Sequence, residues 1–104
     1  MSSPDAFQAL ADPSRREILR LLAGESLTIN AIAKNFDMSR PAVSKHVKVL
    51  QTTGFISIED QGRERYCILK EEGFADVQEW INFFDQFWGA RLRKLERMLA
   101  QKSK

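Results

Sequence analysis

Apolar and polar positions alternate along this chain with two different periods, and the change of period divides it into elements. Between residues 28 and 51, Ile29, Ile32, Ala33 and Phe36 recur at helical spacing and gather on one side of a 3.6-residue repeat. Asp37 and Met38 then predict a turn, and a second helix is expected from about residue 40. Ser39 suits its N-cap, because a hydroxyl there accepts a bond from an orphan amide, and Pro41 in the first turn removes no intrahelical donor. Around a wheel of about 100° per residue, Ala42, Val43, His46, Val47, Val49 and Leu50 fall on one half of this helix. Arg40, Pro41, Ser44, Lys45, Lys48 and Gln51 fall on the other. Gly54 then fits the left-handed position that closes a helix, and Phe55-Ile56-Ser57-Ile58 alternates as a strand. Glu59-Asp60-Gln61-Gly62 predicts a turn and Arg63 to Leu69 the returning strand. From Phe74 to Leu99 the pattern returns to helical spacing, consistent with one long helix. The expected layout is a helix-turn-helix over about 28–52, a hairpin over about 55–69 and a C-terminal helix over about 73–101, within one domain spanning 1–104.

Charge separates the two halves of the second helix chemically. The polar half carries three positive charges, a hydroxyl and an amide, the groups that bond phosphate oxygens and base edges. No Asp or Glu occurs from Met38 to Ile58, although the chain has 14 acidic residues. A carboxylate-free exposed face suits the approach of a polyanion. An ordinary solvated basic face is the plainer reading of the helix alone. A hairpin directly behind it, with Arg63 and Arg65 on alternate positions and so on one side of a strand, favours the nucleic-acid reading. The overall charge adds little, since a net +2 and a pI near 8.9 are only mildly basic.

Toward the N-terminus, Ser14-Arg15-Arg16-Glu17 has the spacing of a capping box ahead of Ile18, Leu21 and Leu22, with Gly24 as the stop. Arg15 and Arg16 are within the chemistry of phosphate contact, but arginines beside a helix start also find partners inside the fold, and the structural role is preferred. Gln101 to Lys104 read as a loose tail.

Six of the ten aromatic residues lie between Phe74 and Trp88. Val77, Ile81, Phe84, Trp88, Leu92, Leu95 and Leu99 follow a near-heptad stripe that Trp80, Phe83 and Phe87 widen. One side of such a helix can cover the core, and a second side needs another surface, most simply the same helix of a second chain. Phe7, Leu10, Val77, Trp80, Ile81, Phe84, Phe87, Trp88, Leu92 and Leu95 are the expected dimerisation residues. The alternatives are a short N-terminal helix bearing Phe7 and Leu10 that covers the second stripe within one chain, or a ligand pocket lined by the aromatic rings.

Taken together, four segments resemble the ArsR-type winged-helix regulators over about residues 5 to 99. Phe7 to Leu19, FQALADPSRREIL, is similar to the family's opening motif, Met38 to His46, MSRPAVSKH, to its recognition helix, and Gly62 to Tyr66, GRERY, to its wing. The fourth, Trp80, Phe87-Trp88, Arg91-Leu92 and Leu95-Glu96, is similar to a branch whose genes often sit beside a START-like domain gene. The resemblance implies an α+β, mainly α fold: a winged helix-turn-helix with a two-stranded wing and a long C-terminal dimerisation helix. It also implies a homodimeric bacterial transcription factor that represses by default. Ser39, Arg40, Pro41, Ser44, Lys45, Lys48, Gln51, Arg63 and Arg65 are then the expected contacts to double-stranded DNA. Metal sensing, the family's best-known function, is not expected, because thiolate or helix-borne sites need several Cys or paired His and carboxylates and this chain has one Cys and one His. Where the family's cysteine pair would fall, this sequence has Leu27, Thr28, Ile29 and Asn30.

Catalysis is not expected either. The sole imidazole, His46, lies two residues from Ser44 on a different side of the same helix, and the five glycines are scattered singly rather than forming a phosphate loop. His46 reads as a satisfied, partly buried ring and Cys67 as a small packed residue without a redox role. No cofactor is implied. The chain lacks an apolar run long enough to cross a bilayer and lacks a basic-then-apolar leader, which places it in the cytoplasm by expectation. An RNA-binding winged helix and a protein-binding winged helix remain the other classes to test.

Overall fold

The computed structural model describes residues 4–102. Its order is α1 (Ala6–Leu10), α2 (Pro13–Gly24), β1 (Leu27–Thr28), α3 (Ile29–Ala33), α4 (Arg40–Thr52), β2 (Ile56–Gln61), β3 (Glu64–Leu69), α5 (Glu72–Phe83) and α6 (Asp85–Lys102).

The first four helices start on side-chain caps. The Asp5 carboxylate and the Gln8 side chain form a reciprocal capping box on α1, with both bonds at 2.8 Å. The expected capping box at Ser14 is not formed. Asp12 caps α2 instead, accepting from the Ser14 amide at 2.7 Å and the Arg15 amide at 3.3 Å, because Pro13 supplies the preset φ of the first helical position and Ser14 already lies inside the helix. Gly24 is the last helical residue of α2 but takes no positive φ, so it ends the helix without a left-handed cap. Gly54 does take one, at φ +85°. With it, the Phe55 amide reaches Leu50 O at 2.9 Å and the Gly54 amide reaches Gln51 O at 3.2 Å, the paired bonds of a Schellman closure on α4.

A single core joins α2, α3, α4 and the sheet. Ile18, Leu22, Ile32, Val43, Val47, Leu50, Phe55 and Cys67 are essentially inaccessible, and Leu10, Phe36, Met38 and Val77 pack partly buried against them. Burying each such aliphatic side chain is worth about 1.5–3 kcal/mol, so these residues dominate the fold's stability. Phe36 belongs to this core from a turn rather than from a helix, because α3 stops at Ala33 and the turn runs from Lys34 to Met38.

The sheet has three antiparallel strands in the order β1-β3-β2, so the expected two-stranded wing gains a short third strand. Leu27 and Thr28 pair with Cys67 and Tyr66. The first wing strand runs farther than the sequence suggested, through Gln61, while the second starts one residue later, at Glu64. Asp60 and Gln61 pair with Arg65 and Glu64, leaving a two-residue turn of Gly62 and Arg63. Gly62 has φ +66° and Arg63 does not have a positive φ, the pattern of a type II′ hairpin turn. Arg63 therefore sits at the tip rather than in a strand.

The C-terminal segment is two helices, not one. Phe84, at φ −94° and ψ −3°, interrupts the ladder between α5 and α6, and no Gly or Pro marks the place. Gln101 and Lys102 continue α6 instead of fraying as a tail, and Ser103 and Lys104 lie outside the described residues. The 18 residues of α6 span about 27 Å. They give the molecule extents of 64 × 33 × 25 Å and a radius of gyration of 18.8 Å, where a compact chain of this length has about 13 Å.

Candidate DNA interface

The recognition helix is set by its own two faces. Val43, Val47 and Leu50 are buried and Ala42, His46 and Val49 are partly so, while Arg40, Pro41, Lys45, Lys48 and Gln51 are exposed. Ser44 lies between, half-buried. Ser39 fixes the start of the helix, its Oγ accepting from the Ala42 amide at 3.3 Å. The first turn is thereby held at the surface, where the N-terminal residues of a recognition helix read base edges.

Beside that turn lies an open cleft of about 450 Å³ lined by Thr28, Ile29, Asn30, Arg40, Ser44, Arg63, Glu64 and Arg65. Arg40 and Ser44 reach it from α4, and Arg63 and Arg65 from the wing. The lining thus includes three arginines and one acidic residue, Glu64. Strand alternation predicted the pairing of Arg63 with Arg65. In the structure both line one cleft, Arg63 from the tight turn and Arg65 from β3. Arg65 is braced across the hairpin, its Nε 3.1 Å from Asp60 Oδ1, an exposed pair whose energetic worth is small but whose geometry aligns the side chain along the wing. Lys45, Lys48 and Gln51 lie outside the cleft, farther along the exposed side of α4. Among the described residues the ion pairs are Arg15–Asp12, Arg20–Glu17 and Arg65–Asp60, so no carboxylate is paired with a cation of α4.

Sequence reasoning missed Asn30. It stands at the start of α3, and its Oδ1 accepts a hydrogen bond from Arg40 Nε. Its own helix is capped by the preceding residue, Thr28 Oγ1 accepting from the Ala31 amide at 3.1 Å. Nothing in residue spacing signals a bond across ten positions; only the packing of α3 against α4 brings the two together.

Arg15 is structural, as its position beside a helix start suggested. Its Nε donates to Ala9 O at 2.7 Å and its Nη2 to Gln8 O at 2.9 Å, closing the C-terminal carbonyls of α1. Nη1 lies 3.3 Å from His46 Nδ1 on α4, and Asp12 Oδ2 is 3.9 Å away. His46 is accordingly half-buried with a partner. Arg16 likewise donates to Leu10 O at 2.6 Å. Desolvation opposes ionisation of Asp12, but the Ser14 and Arg15 amides and the charges of His46 and Arg15 together outweigh it and hold the carboxyl below its usual range. Cys67 is fully buried, and burial pushes its thiol pKa up against a smaller pull from the Arg65 charge.

A second surface lies at the other end. Of the residues expected to pair chains, Leu10 and Val77 pack against the core and Phe84 is half-buried. Phe7, Trp80, Ile81, Phe87, Trp88, Leu92 and Leu95 all stand exposed, Trp88 by 53% and Leu92 by 58%. Phe7 of α1 does meet Trp80 edge-on at 5.7 Å, yet Trp80 remains 56% exposed, so α1 touches the stripe without covering it. The chain exposes 7915 Å², where a compact 12.0 kDa monomer exposes about 6,000 Å². Among the described residues no group of three or more His, Cys, Asp or Glu is placed to hold a metal ion, and no helix is long and apolar enough to cross a membrane.

Comparison with known proteins agrees with this architecture. The family model for bacterial regulatory proteins of the arsR family matches residues 12–57. The HTH-type transcriptional regulator Rv2034 of Mycobacterium tuberculosis is 40% identical over 87 residues, covering 83% of this chain and 78% of that protein. The transcriptional repressor SdpR of Bacillus subtilis is 35% identical over 83 residues, 79% of this chain and 92% of SdpR. The solution structure of the homodimeric winged helix-turn-helix DNA-binding domain of Mb0332 from Mycobacterium bovis superposes with a TM-score of 0.62 at 25% identity, over 78% of this chain and 75% of that one. With its recognition helix, wing and core arranged as described, this chain belongs to the ArsR family of winged helix-turn-helix transcriptional regulators.

Proposed function

We propose that the protein is a homodimeric, cytoplasmic repressor that occupies a palindromic operator, including one at its own promoter, and that it acts by binding rather than catalysis. The observation that carries this reading is the cleft joining the first turn of α4 to the wing, lined by Arg40, Arg63 and Arg65 with Glu64 as its one acidic residue, beside a helix that has no Asp or Glu of its own. Arg40, Pro41, Ser44 and Lys45, close to the start of α4, face base edges, with Ser39 holding that start in place. Lys48, Gln51, Arg63 and Arg65 hold phosphates. The uncovered aromatic stripe of α5 and α6 supports pairing of two chains, which sets two recognition helices about one turn of DNA apart. Homodimeric Mb0332 supports the same assembly, and the repressor SdpR the same sign of regulation.

The test is binding to a labelled duplex of the gene's own upstream region against a scrambled duplex of equal length, across about 50 to 200 mM salt. Loss of about 10³ to 10⁵ in affinity over that range, with the upstream preference retained, is expected for 6 to 10 phosphate contacts. A steep salt dependence without preference would remove autoregulation, and no binding at the lowest salt would remove the DNA reading in favour of a protein partner.

A further inference from the structure

We infer that Asn30 is a positioning residue for Arg40 and thereby sets the protein's preference for a guanine in the operator half-site. This rests on the operator reading above and adds to it a residue and a base. Arg40 is the α4 side chain nearest the helix start that carries a guanidinium, and its Nε donates to Asn30 Oδ1 on the neighbouring helix. Both residues line the cleft with Ser44, Arg63 and Arg65.

The chemistry of the guanidinium gives this bond its meaning. Arginine presents five N–H donors in a rigid plane, and a base can be gripped either from the side, through Nε and Nη, or end-on, through the two Nη groups. Asn30 occupies the side edge. What remains is the end-on fork, two parallel donors of the kind that match guanine O6 and N7 in the major groove and no other base edge there. A free arginine also loses considerable rotamer freedom on binding, and a side chain already tethered at Nε loses less. The Asn30 amide is neutral, so it orients the guanidinium without offsetting the positive charge that draws it to DNA. A carboxylate in the same place would have done both.

The experiment uses the full chain and a duplex selected by the wild-type protein from a randomised pool, together with a set carrying each base pair substituted in turn. Asn30→Ala is expected to weaken the selected duplex roughly 2- to 10-fold while leaving scrambled duplex and the salt slope unchanged. The substitution penalty should shrink at one G·C pair, the same pair at which Arg40→Ala abolishes it, and Asn30→Ala should add nothing in an Arg40→Ala background. Asn30→Asp, which keeps the acceptor, should retain the G·C preference while binding every duplex less well. Equal weakening of the selected and scrambled duplexes, with the G·C penalty unchanged, would make Asn30 a direct phosphate contact and overturn the inference. Tighter binding by Asn30→Ala would make the bond a latch that restrains Arg40, and undiminished additivity with Arg40→Ala would uncouple the two; either outcome overturns it. If the wild-type protein enriches no duplex at all, the operator reading falls first and the inference falls with it.

Discussion

Gly73 stands in the first turn of α5 with the ring of Phe55 pressed against its Cα. A Cβ added there would lie 2.6 Å from Phe55 Cγ, closer than real contacts allow, and Phe55 is itself fixed by the core and by the edge of Phe74 at 4.7 Å. Elsewhere in a helix a change from Gly to Ala gains about 1 kcal/mol. Here overpacking should reverse the sign, and Gly73→Ala is expected to destabilise by about 1–3 kcal/mol in urea denaturation. At Asp12 the direction of the pKa sets the pH dependence. Because the folded carboxyl is held below its unfolded value, its contribution to stability is complete above the ordinary carboxylate pKa of about 4 and disappears as pH falls through the lower folded value. Asp12→Asn keeps a capping oxygen but removes the titration. Thermal melts from pH 6 down to pH 3 should therefore fall less steeply for the variant than for the wild type, and equal slopes would show that Asp12 does not carry the linkage.

At the scale of elements, the proposed division of binding between helix and wing predicts different losses. Arg40→Ala on α4 should cost on the order of 1–3 kcal/mol and relax sequence choice, whereas Arg63→Ala at the wing tip should weaken all duplexes alike and lower the salt slope by about 1. Competition titrations with selected and scrambled duplexes would distinguish the two, and equal, uniform weakening would collapse the division. The sequence made α4 readable because a single helix wheel separates Val43, Val47 and Leu50 from Lys45 and Lys48. Other elements were legible only in part. At α2 two capping signals overlap, Asp12-Pro13 and Ser14 with Glu17, and the fixed φ of Pro13 decides between them. The strand β1 is two residues long, too short to show alternation, and its partner lies about forty residues away. The interruption at Phe84 leaves no mark because the apolar repeat runs through it. Asn30 was invisible for the same reason as β1: its role depends on which helix it meets.

At the scale of the whole molecule, the projecting α6 and the uncovered rings make the single chain an incomplete object. Its excess of roughly 1,900 Å² over a compact monomer, taken against the size rule for folded chains, is of the order that a dimer interface hides. Trp88 lies outside the core cluster and near the middle of this stripe. Trp88→Glu is expected to leave the circular dichroism spectrum intact while weakening association by about 30-fold or more, as for a buried aromatic anchor. Sedimentation velocity across concentration would read the shift, and operator affinity should fall with it. A variant that sediments as the wild type would locate the contact elsewhere.

Cys67, the chain's one cysteine, sits in the middle strand of the sheet with Leu27 on one side and Ile58 on the other. A reagent that requires a thiolate meets it only when the hairpin separates from its neighbours, because until then burial both shields the thiol and raises its pKa. Where capture outpaces reclosing, the labelling rate is the rate at which the wing comes apart. The protein thus carries a single-site clock beneath the edge proposed to meet DNA. An operator duplex gripped by Arg63 and Arg65 should slow that clock, and a scrambled duplex at the same concentration should slow it less.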